Sequence, residues 1–73
     1  MLFRDWLREA RLNAGKSQVQ LADELGISFA TLNRYENGCP VSITNLKLIA
    51  DYFEVNVAEL RKMEVRYYAK RKQ

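Results

Sequence analysis

With no histidine in the chain, the Ser-His-Asp and Cys-His arrangements that activate a nucleophile near neutral pH cannot be built. Carboxylates remain, but they are scattered along helix faces of a 73-residue chain that is too short to place a pocket behind them. The single cysteine, Cys39, has neither a disulfide partner nor the histidine or second thiol needed to hold zinc. Gly15, Gly26 and Gly38 each stand alone at a predicted helix end, not in a phosphate-cradling loop. The expectation is a non-enzymatic protein without metal, cofactor or small-molecule substrate. The stretch that stands out is GISFATLNRYENG, Gly26 to Gly38. It reads as a short helix whose first outward residues are Phe29 and Ala30, an unusual place for a phenylalanine.

The elements around that stretch follow from helical periodicity, which dominates the chain. In LFRDWLREARLNAG, Phe3, Leu7, Ala10 and Ala14 fall on one stripe with Leu2 and Trp6 beside it, and Gly15 stops the helix. SQVQLADELG opens with Ser17 and Gln20 in capping-box spacing and closes at Gly26. Ser28 caps a third helix, which runs through Tyr35 or Glu36 until Asn37-Gly38 breaks it. After the connector CPV, Ser42 caps ITNLKLIADYF, with Ile43, Leu46, Ile49, Ala50 and Phe53 facing inward. Asn56 and Glu59 repeat the capping-box pattern and open a fifth helix containing Val57 and Leu60. The remainder, RKMEVRYYAKRKQ, either continues that helix on a Leu60, Met63, Tyr67 stripe or pairs as a short strand. The fold class expected is all-α: a compact five-helix domain over 1–60 with a basic C-terminal extension over 61–73.

Two short helices joined by a tight glycine turn, with one helix before and two after, make a helix-turn-helix. Ala22 supplies the small residue where the two helices cross, Gly26 the turn, and Ile27, Leu32 and Tyr35 the inner face. With these residues in place, SQVQLADELGISFATLNRYENG, preceded by LREARLNAG and followed by SITNLKLIADYFEVNVAEL, resembles the lambda-repressor-like, Cro/cI-type (XRE-family) helix-turn-helix DNA-binding proteins. The resemblance covers roughly residues 2–60.

The resemblance implies roles for particular residues. Gln18 would contact a DNA phosphate and buttress the recognition helix. Arg11 and Glu36 would form a largely buried ion pair between the first helix and the end of the third. The third helix, about 28–36, would enter the major groove. Its outward residues Phe29, Ala30, Asn33 and Arg34 would meet base edges, with Arg34 suited to guanine, Asn33 to adenine, and Phe29 and Ala30 to the thymine methyl group. Ser28, Thr31, Asn37 and Gly38 would face the phosphates. For Asn33 and Arg34 the bland alternative is a solvated helix face, for Gln18 a plain capping-region residue, and for Phe29 a place in the core. Two departures stand out: Glu54 occupies a helix end where the family often has glycine, and the CPV connector is short.

Charge is unevenly divided. Residues 1–60 hold six Lys/Arg against eight Asp/Glu, a formal −2, while 61–73 hold six against one, +5, so the net +3 comes from the tail. A basic footprint on the reading face is therefore missing, and double-stranded DNA binding would need either two copies or tail contacts from Lys70, Arg71 and Lys72. A homodimer through Val57, Leu60, Met63 and Tyr67 is expected, unless that stripe folds onto its own core. The segment MLFRDWLREARLNAG lacks a signal peptide's apolar run, and no later stretch approaches the roughly 20 apolar residues of a membrane span, which points to the cytoplasm. Together these features suggest a sequence-specific transcriptional regulator, a repressor, from a prokaryote, phage or mobile element. The rival readings are an antitoxin whose tail binds a protein partner, and a DNA-free association domain.

Overall fold

In the computed structural model, residues 1–63 are described; Tyr67 and the Lys70, Arg71, Lys72 cluster lie outside the described residues. Four helices follow one another as α1 (Phe3–Asn13), α2 (Gln18–Leu25), α3 (Phe29–Glu36) and α4 (Ile43–Phe53). Residues 57–63 form the described part of a fifth, α5. There is no strand among the described residues, so the fold is all-α, and no helix there is long and apolar enough to cross a membrane.

Local hydrogen bonding sets most helix ends. At α2, the Ser17 hydroxyl accepts from Gln20 N at 3.1 Å and the Gln20 side chain accepts from Ser17 N at 2.9 Å, completing the capping box. Gly26 ends the same helix at φ 78°, with Ile27 N donating to Ala22 O at 3.0 Å. Ser28 then caps α3 by accepting from Thr31 N, which leaves only residues 26–28 for the turn. Ser42 caps α4 in the same way. Asn56 does not complete the expected box: its side chain accepts from Ala58 N at 2.8 Å, while the Glu59 carboxylate lies 3.7 Å from Lys62. The short reach of Asn favours the nearer amide in an Asx-type turn.

The core gathers one face from each helix: Phe3 and Leu7; Leu21, Ala22 and Leu25; Leu32 and Tyr35; Leu46, Ile49 and Ala50; and Leu60. Phe3 stacks on Trp6, which meets Phe53 edge-on, so aromatic contacts join the start of α1 to the end of α4. Outside the core, Lys16, Glu24 and Tyr52 form a surface chain, with the Tyr52 hydroxyl and the Lys16 ammonium both donating to Glu24. The Tyr52 hydrogen bond, followed by that from Lys16, holds the Glu24 carboxyl below its ordinary range. The bond to Glu24 raises both Lys16 and Tyr52.

Three expectations about facing are corrected. Ala14 is exposed because it caps α1, where the helical stripe has run out. Ile43 is exposed as the first residue of α4, while Val41 of the connector is buried instead. Leu60 is fully buried in its own core, with Val57 and Met63 packed partly against it, so it cannot be a dimer contact. An apolar stripe is covered by the nearest apolar surface, and in a domain this small that surface is the core.

The end of α4 carries a backbone cost. Glu54 sits in the left-handed region at φ 55°, ψ 45°, and Val55 N closes the turn on Ala50 O at 3.0 Å. An L-residue with a Cβ is disfavoured there by about 1 to 2 kcal/mol, of which glycine recovers part after its greater unfolded-state entropy is set against it. Glu54→Gly is therefore expected to stabilise the chain by about 0.5 to 1 kcal/mol in thermal or urea unfolding; a loss of stability would show that the Glu54 side chain contributes more than its backbone costs.

Candidate nucleic-acid interface

The site is organised around a carboxylate in an expensive place. Glu36 ends α3 and is 1% exposed. Its charge is desolvated, and it lies at the negative end of the helix macrodipole. Three hydrogen bonds satisfy it: Arg11 donates Nε to Oε2 at 2.7 Å and Nη2 to Oε1 at 3.1 Å, and Gln18 donates Nε2 to Oε1 at 3.1 Å. The bidentate fork is the strong form of this interaction. Being hydrogen-bonded to Glu36 also raises the Arg11 pKa, so the guanidinium stays charged. Arg11 further donates Nη1 to Lys16 O at 3.1 Å, tying the α1–α2 turn to the same group.

Sequence reasoning did not find Arg8, which donates Nη2 to the Glu36 main-chain carbonyl at 3.1 Å and brings Nε within 3.8 Å of Oε1. Arg8 and Arg11 stand one helical turn apart on α1, so their shared face was available as a signal. A second missed link is Asn45 Nδ2 donating to the Tyr35 hydroxyl at 2.8 Å, which joins α4 to α3. Nothing local in the sequence announces that pair. Held by Leu32, Tyr35 and Glu36 on its inner side, α3 has its orientation set by α1, α2 and α4 together.

The outer side of α3 is correspondingly free. Phe29 is 49% exposed and is no part of the core cluster, which removes the core-filling alternative. Ala30 and Arg34 are exposed and Asn33 is partly buried, so all four residues named as base readers lie on this one helix. At its start, Ser28 Oγ donates to Thr31 Oγ1 at 2.8 Å while accepting from Thr31 N. An open groove of about 550 Å³ runs along Arg34 and Thr31 toward Cys39, Ser42 and Asn45. Gln18 sits at the start of α2 with one amide hydrogen on Glu36 and a second available.

One of the expected phosphate contacts is corrected. Gly38 is buried, and its N–H donates to Tyr35 O at 3.2 Å, so that donor is spent on closing α3. Asn37 also donates Nδ2 to Asn33 O at 2.8 Å, but its side chain is exposed and keeps one hydrogen free.

Removing the carboxylate tests the arrangement. Glu36→Ala leaves Arg11 desolvated without its partner, and a loss of about 3 kcal/mol is expected in urea unfolding. A loss below about 1 kcal/mol, the scale of a surface pair, would contradict this account of the site.

Against this geometry stand the comparisons with known proteins. Residues 7–60 match the family model described as Helix-turn-helix. The chain is 38% identical over 61 residues to the cryptic phage CTXphi transcriptional repressor RstR of Vibrio cholerae serotype O1, an alignment covering 82% of this chain and 54% of that protein. This chain therefore spans about half the length of that curated relative. No solved structure matches it. The matched span begins at Leu7 and ends at Leu60, taking in α2, the Gly26 turn, α3 and the residues that hold Glu36, and the chain belongs to the helix-turn-helix family of the XRE, Cro/cI type.

Proposed function

We propose that this chain is a sequence-specific DNA-binding transcriptional repressor that inserts α3 into the major groove and binds as two copies. The observation that carries the reading is the pairing of a rigidly held inner face of α3, anchored at Glu36, with an outer face left open at Phe29, Ala30 and Arg34. Similarity to a phage transcriptional repressor supports it.

In this reading, the apolar Phe29 and Ala30 meet thymine methyl groups, Arg34 donates two hydrogen bonds to guanine O6 and N7, and Asn33 faces adenine. Ser28, Thr31, Asn37 and the second hydrogen of Gln18 serve the phosphates and set the register. The amides opening α2 add to this, because a helix N-terminus attracts an anion. Affinity is modest for one copy, since residues 1–60 carry a formal −2. Two copies reading successive major grooves, about 34 Å apart, supply the remainder.

Selection of bound duplexes from a random pool tests this. A half-site motif containing thymine and guanine is expected; Arg34→Ala should relax one position in each half-site at a cost of about 1 to 3 kcal/mol. Phe29→Ala should weaken binding while changing stability by no more than about 0.5 kcal/mol, as for an exposed site. If no motif is enriched even at low salt, where phosphate contacts are strongest, the proposal is wrong.

A further inference from the structure

Glu36 is one carboxylate shared by two arginines, and the two are not held alike. Arg11 takes the close bidentate position with its side chain 13% exposed, so this guanidinium and the anion are spent on each other. The Arg8 side chain is 51% exposed, and its Nε stands 3.8 Å from Oε1, beyond hydrogen-bond range. What holds it is the tether from Nη2 to the Glu36 carbonyl at 3.1 Å, which uses one of five guanidinium N–H groups. Arg8, Arg11 and Glu36 together therefore carry a formal +1, within a 1–60 segment whose total is −2.

Arg8 is also adjacent to two groups read above as phosphate donors. Gln18 Nε2 donates to the same Oε1 at 3.1 Å, which keeps its amide beside the Arg8 guanidinium. The carbonyl that tethers Arg8 belongs to the peptide bond joining Glu36 to Asn37, whose exposed side chain keeps one hydrogen free. A guanidinium already tethered has less side-chain freedom to lose when a second anion arrives, and its planar fork matches phosphate oxygens.

We infer that Arg8 is a DNA-backbone contact, held by the end of α3 so that its exposed N–H groups meet a phosphate alongside Gln18 and Asn37. The inference rests on the major-groove reading of α3 and adds a cation to a phosphate set otherwise made of neutral donors: Gln18, Ser28, Thr31 and Asn37. Neutral donors displace no counterion, whereas a guanidinium that neutralises one phosphate adds about one unit to the salt dependence of binding. Because the tether runs to the main chain of α3, the contact also fixes that helix against the DNA backbone without reading any base.

Binding of the full chain to a duplex carrying its selected motif, followed by fluorescence anisotropy from about 50 to about 200 mM salt, tests this. Arg8→Gln should weaken binding about tenfold at the low-salt end and flatten the slope of log K against log salt by about one unit per bound copy, with the motif unchanged. Arg8→Lys keeps the charge and should keep at least about half of that slope contribution, while Arg4→Gln removes an equal charge from the same helix and should change the slope by less than about a third of a unit. A Tm for Arg8→Gln within about 5 °C of the unmodified chain would confirm that folding is not what changed. The Arg8 assignment alone is overturned if a motif is enriched but Arg8→Gln keeps the full slope, if Arg4→Gln flattens it equally, or if affinity falls only in step with a larger loss of Tm. If no motif is enriched, the same variants are compared on a mixed-sequence duplex: an unchanged Arg8 contribution there leaves the backbone contact standing while the reading of α3 fails, and a chain that binds no duplex overturns both.

Discussion

Much of this structure depends on keeping one negative charge, that of Glu36, out of water at the end of α3. Desolvation and the helix dipole both oppose it, so the carboxylate is stable only while donors from elsewhere reach it. Those donors come from α1 through Arg11 and from the start of α2 through Gln18, with Arg8 closing on the adjacent carbonyl. An apolar residue could fill the same volume at no electrostatic cost. It could not specify direction, because hydrophobic contact is non-directional whereas a bidentate guanidinium–carboxylate pair fixes distance and plane. The buried charge makes the pose of α3 a property of three segments at once.

That dependence matters because the central helices are short. At 8 residues each, α2 and α3 fall well under the roughly 12 to 15 at which an isolated helix becomes even marginally stable. Their ends are held by Ser17, Gly26 and Ser28, and their inner faces by Leu21, Ala22, Leu25, Leu32 and Tyr35. With the inner side of α3 fully committed, its outer side is free to carry residues chosen for contact with something else. An exposed phenylalanine at Phe29 costs the fold little, since the core is complete without it.

Charge and association complete the picture. Residues 1–60 carry a formal −2, so a single outward helix would hold a polyanion weakly; in the proposed reading, two copies would raise affinity by doubling the reading surface. The apolar stripe of α5 is consumed at Leu60 by its own core, and the large apolar residues left exposed are spread over the helices, among them Leu12, Val19, Phe29, Ile43 and Leu48. A small domain has few faces: one is occupied by α3, and the core has claimed the inner side of the others.

The sequence by itself determined what depends on near neighbours. Ser17 with Gln20, Ser28, Ser42 and Gly26 were legible as helix ends because each acts on amides or carbonyls within a few residues of itself. The inner face at α3 was legible in Ile27, Leu32 and Tyr35, that of α2 only at Ala22, and the position of the helix-turn-helix from these together with the caps. The Arg11–Glu36 pair was accessible only through family resemblance, since 25 residues separate the partners. Tertiary structure alone decided which surface covers each apolar face, turning Leu60 inward, leaving Ile43 out and burying Val41. It also decided where long-range donors go: Arg8 to Glu36, Asn45 to Tyr35 and the Gly38 amide to the end of α3. Periodicity reports that a face is apolar or a donor is present; only packing in three dimensions determines which partner is near enough, and dry enough, to take it.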